Sequence, residues 1–474
     1  MSNPPPTLVR SPVDLPMLTA GLPGIGGVIK LRNDDFIVEE IPLYPCKGEG
    51  THTFFEIEKD GLDTPNAVRL ISSRLGVHRH DIGVAGLKDA HGITRQWLSL
   101  EHVPQERIAA LDVGPVRVLR TALHTNKLKI GHLRGNRFDL RIRLFDQPDN
   151  PGGPLTVHEA RQRAEAIARV LAEQGIPNYF GPQRFGRRTD THLLGRALLF
   201  KDHQTLAGIL LGTSGPADTG RIAQARAAFD KGDLPAAEKL WPHPFQLQRA
   251  ALRALQRAGG KMQAVSKAID AGQRGFFISA YQSALFNYLL ADRIAGGDWL
   301  RLHPGDLAMR FIGPTCFKVL DPEREQPRVL AGEIAPTAPL FGYRVSLADG
   351  PAGEAERALL EAEGLHDAIW RAAGNHRIRG DRRPLRIMPE QLEVSGGIDA
   401  HGPFVRVQVF LPKGSYATCL LSEICKVPPE RAAAQLEAPS PARSNAQPVG
   451  RIIVLDDDED APVDLPVPDT HADP

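Results

Sequence analysis

The sequence has few cysteines, few aromatic residues and almost no net charge. It holds 4 cysteines in 474 residues and no Cys-x-x-Cys pair, which excludes a disulfide framework and favours a reducing compartment. It contains no run of about 18 apolar residues, and its proline-rich start lacks the apolar segment of a signal peptide. These absences predict a cytoplasmic protein without a membrane span.

Short motifs of several enzyme classes are also absent. The chain has no phosphate-binding Gly-x-x-x-x-Gly-Lys-Ser/Thr, no His-Glu-x-x-His and no Gly-x-Ser-x-Gly. Its 16 histidines do not pair with cysteines at the spacing of metal ligands. We therefore expect no metal and no organic cofactor.

The net charge of +1 conceals an uneven distribution. Residues 452–474 hold eight acids and no Lys or Arg, which leaves residues 1–451 with a net charge of +9. Basic residues concentrate at 117–143, 184–188 and 371–386, and aromatic residues lie within or beside the first two stretches. Such a composition suits a surface that follows phosphates and stacks bases. A solvated strand face is the alternative interpretation.

A glycine-bounded loop at residues 86–92 places Lys88 beside Asp89. A neighbouring ammonium keeps a carboxylate ionised, which suits a nucleophile or a base better than a general acid. The alternative is an aspartate that forms a turn by bonding to its own backbone. Upstream of this loop, Thr64 followed by Pro65 predicts a helix that ends at Gly76, with Thr64 as the N-cap.

Five segments together resemble one protein family. Residues 86–96, GLKDAHGITRQ, resemble the Gly-x-Lys-Asp-x-x-x-x-Thr-x-Gln signature of the TruD family of tRNA pseudouridine synthases. Four more segments resemble that family in the same order, at residues 35–40, 135–138, 178–186 and 414–418. The resemblance extends over about residues 30–426, because these motifs lie along that whole length.

The resemblance implies an isomerase that converts uridine 13 in the D arm of tRNA to pseudouridine. The family's catalytic aspartate falls on Asp89, whose carboxylate could attack C1′ or C6 of the nucleotide or remove the C2′ proton. The reaction needs no redox partner or metal. Residues 414–418 depart from the family pattern at Tyr416, where members often carry Phe.

The remaining site residues follow from the same resemblance. The flipped uridine needs a stacking surface and a hydrogen-bonding partner. Phe36 and Tyr416 are expected to bound the nucleotide and Asn136 to bond the uracil edge, while burial in the core is the alternative for Phe36 and Phe138. The full expected binding set is Phe36, Asn136, Tyr416, Phe138, Lys30 and Lys88, with the two lysines holding phosphate or tuning Asp89.

The family resemblance implies an α+β fold: a pseudouridine-synthase catalytic domain with a mostly antiparallel sheet and an inserted α/β domain. A cleft between the domains would take the tRNA, and a monomer is expected. The predicted divisions are a flexible leader (1–26), the catalytic domain (27–177 and 389–437), the insertion (178–388) and a disordered acidic tail (438–474). Two alternative functions are a non-catalytic tRNA-binding or RNA-chaperone module and an unrelated carboxylate hydrolase.

Overall fold

The computed structural model describes residues 10–144, 155–372 and 378–426. The strands are, in chain order, β1 (Phe36–Pro42), β2 (His52–Asp60), β3 (Gly83–Val84), β4 (Ile93–Glu101), β5 (Val116–His124), β6 (Leu133–Arg143), β7 (Ile176–Pro177), β8 (Leu307–Arg310), β9 (Cys316–Lys318), β10 (Ile334–Leu340), β11 (Asp381–Pro384), β12 (Arg386–Ile387), β13 (Glu390–Asp399) and β14 (Gly402–Pro412). The α-helices are α1 (Thr64–Leu75), α2 (Gln105–Ala109), α3 (Val157–Gln174), α4 (Thr191–Leu199), α5 (His203–Leu211), α6 (Gly220–Asp230), α7 (Leu234–Leu240), α8 (Gln246–Arg257), α9 (Gln263–Ala268), α10 (Ala271–Ala295), α11 (Pro322–Leu330), α12 (Gly350–Glu363), α13 (Asp367–Ala372) and α14 (Ala417–Cys425). The tail predicted for 438–474 lies outside the described residues.

One large sheet dominates the fold. Its strands follow the order β13-β14-β6-β1-β4-β2-β5, and β3 pairs with β4. The β1–β4 pair is parallel, and the other pairs are antiparallel. A smaller sheet with the order β11-β10-β8-β9 and many of the helices lie between β6 and β13 in the chain. The prediction of an α+β fold with a mostly antiparallel sheet is confirmed, and the domain boundaries stay a prediction.

Helix α1 follows the predicted span but begins with a different cap. Its first residue is Thr64, and it ends at Gly76, whose φ of 66° is a left-handed conformation that favours glycine. The N-cap is Asp63, because its carboxylate accepts a hydrogen bond at 2.8 Å from the backbone N–H of Asn66. The hydroxyl of Thr64 does not cap the helix and instead accepts a hydrogen bond from the backbone N–H of Lys88, in the loop at residues 85–92.

Residues 10–26 pack against the rest of the protein and do not form the loose leader that was predicted for them. Arg10 pairs with Asp292 of α10 at 2.6 Å. Thr19, which is 3% exposed, donates its backbone N–H and its hydroxyl to Glu423 of α14. Ile25 joins the core that β6, β14, α3 and α14 share. The segment forms no helix or strand, but most of its apolar side chains are partly or fully buried against the cores.

The two faces of the large sheet carry different side chains. Paired residues on neighbouring strands project to the same side, and the side alternates along each strand. Phe138 and Val409 face the core formed with α3 and α14. Arg137 lies on the opposite face, where it pairs with Glu39 at 3.3 Å.

The first basic stretch is engaged mainly in ion pairs. Six of its arginines each pair with an acidic residue: Arg117, Arg120, Arg134, Arg137, Arg141 and Arg143. This arrangement favours a solvated strand face, the alternative interpretation, over a phosphate-tracking surface.

Across residues 10–144, 155–372 and 378–426, no helix combines the length and apolar character of a membrane span.

Candidate active site

The loop at residues 85–92 connects β3 to β4 and lies against the start of β1. The backbone N–H of Gly131 donates to the oxygen of Ala85 at 2.8 Å, and that of Gly61 donates to the oxygen of Gly92 at 3.2 Å. Gly92 has a φ of 146°, and a Cβ there would lie 2.4 Å from the backbone oxygen of Phe36. The glycine therefore allows the loop to approach the start of β1 closely.

Asp89 presents its carboxylate at the surface of this loop. The side chain is 72% exposed, and its Oδ2 accepts a hydrogen bond from Lys30 Nζ at 3.1 Å. Desolvation raises the pKa of Asp89, but the charge and hydrogen bond of Lys30, together with the charges of Lys59 and His91, outweigh it and lower the pKa below its usual value. The carboxylate is therefore ionised at neutral pH, as the Lys-Asp sequence predicted, although Lys30 and not Lys88 is the direct partner.

Lys30 is held by its surroundings in an unusual backbone conformation. Its φ is 56°, in a region that non-glycine residues rarely occupy, and such positions cluster at functional sites. The side chain is only 6% exposed, and Nζ lies 4.1 Å from the centroid of the Phe36 ring. The Phe36 ring meets Phe138 edge-on, with centroids 6.3 Å apart. The two aromatic rings thus support the cation that contacts Asp89.

Phe36 and Phe138 are buried rather than open to a ligand. They are 6% and 7% exposed and belong to the same apolar core. The cation of Lys30 lies against the Phe36 ring. This placement favours the core interpretation for Phe138, and it gives Phe36 a supporting role beside the site.

Lys88 points into the protein and forms a buried ion pair. Its Nζ donates to Glu40 Oε2 at 2.6 Å, and the two side chains are 6% and 1% exposed. The other oxygen of Glu40 accepts a hydrogen bond from the backbone N–H of Trp97 at 3.2 Å. The pair therefore ties the 85–92 loop to β1 and β4, a geometry that favours a structural role for Lys88 over phosphate binding.

Asn136 lies on the same face of the sheet as Glu40. It is paired with Glu40 of β1 and with Leu411 of β14. Its Oδ1 is buried and accepts no hydrogen bond from the described part of the chain. A buried amide oxygen without a donor is unusual in a folded protein, and an N–H is the kind of group that would satisfy it.

Tyr416 lies just before α14 and is linked to residues of the central region. Its ring centroid is 5.9 Å from that of Phe180. Arg383 of β11 stacks over Phe180 at 4.2 Å and donates to the backbone oxygen of Gly414 at 2.9 Å and to Asn178. The 178–186 and 414–418 motifs, which are far apart in the sequence, are therefore in contact in the structure.

The other two basic stretches also make internal contacts. Arg184 donates to the hydroxyls of Ser279 and Ser283. Arg382 pairs with Glu356 at 2.8 Å, and both side chains are almost fully buried. The concentration of basic residues in the sequence did not reveal that these arginines bond to side chains within the protein.

Lys59, Thr64 and Gln96 lie under the loop, and none of them was given a role at the site from the sequence. Lys59 is fully buried, and its ammonium donates to the backbone oxygens of Leu62, Lys88 and Asp89. Thr64 accepts a hydrogen bond from the backbone N–H of Lys88 at 2.8 Å and donates to Gln96 Oε1 at 2.7 Å. Desolvation lowers the pKa of Lys59 to about 7, against the opposing charges of Asp63 and Asp89. A lysine at an inward position of a strand was the signal that could have revealed it.

Replacing Lys30 with methionine should slow a reaction in which the ionised Asp89 carboxylate takes part. The change removes the charge and the hydrogen bond but keeps an apolar stem on Phe36. A hydrogen bond to a charged group contributes about 1.5–3 kcal/mol, so we expect the single-turnover rate to fall about 10- to 100-fold. The pKa of Asp89 should rise, and the acid limb of the pH–rate profile should move to higher pH.

The matched control for Lys30→Met is Arg32→Met. Arg32 lies two residues away and forms an exposed pair with Asp34, with side chains 44% and 40% exposed. Its replacement should leave the rate within about twofold of the wild type. An unmoved acid limb in Lys30→Met would show that Lys30 does not hold the carboxylate in its ionised form.

Comparison with known proteins gives a consistent result. The family model described as tRNA pseudouridine synthase D (TruD) matches residues 12–424. A protein named tRNA pseudouridine synthase D from Geobacter metallireducens is 40% identical over 410 residues, covering 86% of this chain and 97% of the relative. The protein of the same name from Geobacter sulfurreducens is 39% identical over 422 residues, covering 89% and 99%. A crystal structure described as TruD from Methanosarcina mazei superposes with a TM-score of 0.72 at 26% identity, covering 89% of this chain and 96% of that one.

Proposed function

Because the chain belongs to the TruD family of tRNA pseudouridine synthases, we propose that it isomerises uridine 13 in the D arm of tRNA to pseudouridine. The reaction breaks the bond between N1 and C1′, rotates the uracil and joins C5 to C1′. A proton leaves C5 and one is gained at N1, so the substrate and the product have the same composition.

The observation that carries this proposal is the ionised and exposed carboxylate of Asp89. An anion is the reactive form for attack on C1′ or C6, and equally for removal of the C2′ proton. The hydrogen bond from Lys30 at 3.1 Å stabilises that form, and the 72% exposure of the side chain allows a nucleotide to reach it.

We propose that other residues of the predicted binding set supply the contacts that a flipped base needs. Extruding a base from its stack costs a few kcal/mol, which new contacts must offset. We propose that the unpaired Oδ1 of Asn136 accepts the N3–H of uracil, while its amide NH₂ donates to a uracil oxygen. The half-buried ring of Tyr416 is the proposed stacking surface, and Phe36, Phe138 and Lys88 are proposed to support the site from the interior.

The division of the chain supports a tRNA path beside this site. We propose that residues 27–177 and 389–437 form the catalytic domain and that residues 178–388 are inserted into it. Arg383 from the proposed insertion contacts the backbone at Gly414, next to Tyr416. A tRNA lying between the two parts would touch both of them, and we propose that a monomer provides the whole site.

The test is conversion of a defined tRNA transcript. The protein should form pseudouridine at position 13 of a transcript that carries uridine there and none in a transcript with cytidine at that position. Carbodiimide modification followed by primer extension locates the product. Conversion at a different position would contradict the proposed target, and tight binding without any conversion would favour a non-catalytic RNA-binding module.

A further inference from the structure

Lys59 lies directly beneath the 85–92 loop with no solvent exposure. Its ammonium donates to the backbone oxygens of Lys88 and Asp89 at 3.3 and 3.1 Å, and to that of Leu62. The protonated amine has three hydrogens, so these acceptors can satisfy all of them. One buried cation therefore holds the carbonyl groups of the two peptide bonds that flank Asp89.

The backbone of Lys88 is held from a second direction. Thr64, at the start of α1, accepts from the backbone N–H of Lys88 at 2.8 Å, and its own backbone N–H donates to the oxygen of Lys88 at 3.2 Å. Gln96 of β4 accepts from the Thr64 hydroxyl at 2.7 Å. The backbone immediately before Asp89 is therefore anchored to β2, α1 and β4.

A buried lysine is a costly way to fill the interior of a sheet. Removing a charge from water costs several kcal/mol even after relaxation, and an apolar side chain would avoid that cost. The ammonium contacts backbone oxygens of the loop and lies apart from the exposed carboxylate itself. Its position is therefore best explained by an effect on the loop.

We propose that Lys59 is a positioning residue for Asp89, fixing the loop backbone so that the carboxylate meets the nucleotide in one orientation. The inference rests on the proposed function, because it requires Asp89 to react with the bound uridine. A displacement of about 1 Å at a reacting group can cost a hundredfold in rate. The positive charge of Lys59 also favours the ionised form of Asp89.

The experiment replaces Lys59 with methionine and measures single turnover at saturating tRNA. We expect the rate to fall about 10- to 100-fold, while the dissociation constant for tRNA stays within about twofold. The acid limb of the pH–rate profile should also move to higher pH, because one of the charges that lower the pKa of Asp89 is lost. Lys318→Met, at an exposed ion pair in β9, is the control for the same chemical change.

Thr64→Val keeps the proposal testable should the buried change at Lys59 prevent folding. It removes the hydroxyl that accepts from Lys88 and should lower the single-turnover rate by about tenfold with the same retention of tRNA binding. Thermal unfolding of each variant identifies protein that folds like the wild type. Folded Lys59→Met, or folded Thr64→Val should Lys59→Met not fold, with a rate within about twofold of the wild type would overturn the proposal. Failure of the wild type to convert uridine 13 would instead overturn the proposed function.

Discussion

Replacing Asp89 with asparagine should abolish pseudouridine formation. The amide has nearly the same shape as the carboxylate but carries no charge, so it is a poor nucleophile and a poor base. Removal of a reacting group of this kind typically lowers turnover by at least about 10³-fold. Single-turnover conversion of a uridine-13 transcript measures the effect, and the cytidine-13 transcript gives the background.

Binding of tRNA should survive the same change. Asp89 is 72% exposed, and the asparagine oxygen can still accept a hydrogen bond from Lys30 Nζ, so the fold should be retained. The tRNA dissociation constant should stay within about twofold of the wild type. Asp34→Asn is the matched control, because Asp34 forms an exposed pair with Arg32 and lies near Lys30 in the chain. Turnover by Asp89→Asn within tenfold of the control would rule out Asp89 as the reacting group.

The sequence was sufficient to predict the central feature of this site. A Lys-Asp pair in a glycine-bounded loop indicated an ionised aspartate, and the five motifs placed that loop in the TruD pattern. The resemblance that these motifs carry also implied a mostly antiparallel sheet, which the structure confirms. The Lys-Asp pair and the motifs could be read from the sequence because both depend only on local spacing.

The partners of these residues depend on tertiary contacts that the sequence does not display. Lys88 is adjacent to Asp89 in the chain, yet its side chain reaches Glu40, 48 residues away. The cation that contacts Asp89 is Lys30, 59 residues away. The ion pairs of residues 117–143 are hidden for the same reason, since most of these arginines meet acids from other strands. Strand register decides which charges meet.

Breaking the Glu40–Lys88 pair should destabilise the site as a structural unit. Lys88→Met leaves the carboxylate of Glu40, which is 1% exposed, without its cation in the protein interior. Removing one partner of a buried ion pair costs about 3–5 kcal/mol. The loss should appear as faster hydrogen–deuterium exchange in peptides that span β1 and the 85–92 loop. Arg134→Met is the control, since its pair with Glu390 is more than half exposed on both sides and should contribute at most about 1 kcal/mol.

The double variant Glu40→Gln/Lys88→Met separates a structural lysine from a phosphate-binding one. Glutamine removes the buried charge and can still accept from the backbone N–H of Trp97, so protection from exchange should largely return in the double variant. A lysine that held a phosphate would behave differently. Its replacement would leave exchange unchanged, weaken tRNA binding and reduce the salt dependence of that binding by about one released counterion. The ammonium of Lys88 lies 2.6 Å from the Glu40 carboxylate and is almost fully buried. We therefore expect the single variant to lose protection from exchange and the double variant to regain it, which is the result for a lysine that supports the loop through an internal ion pair.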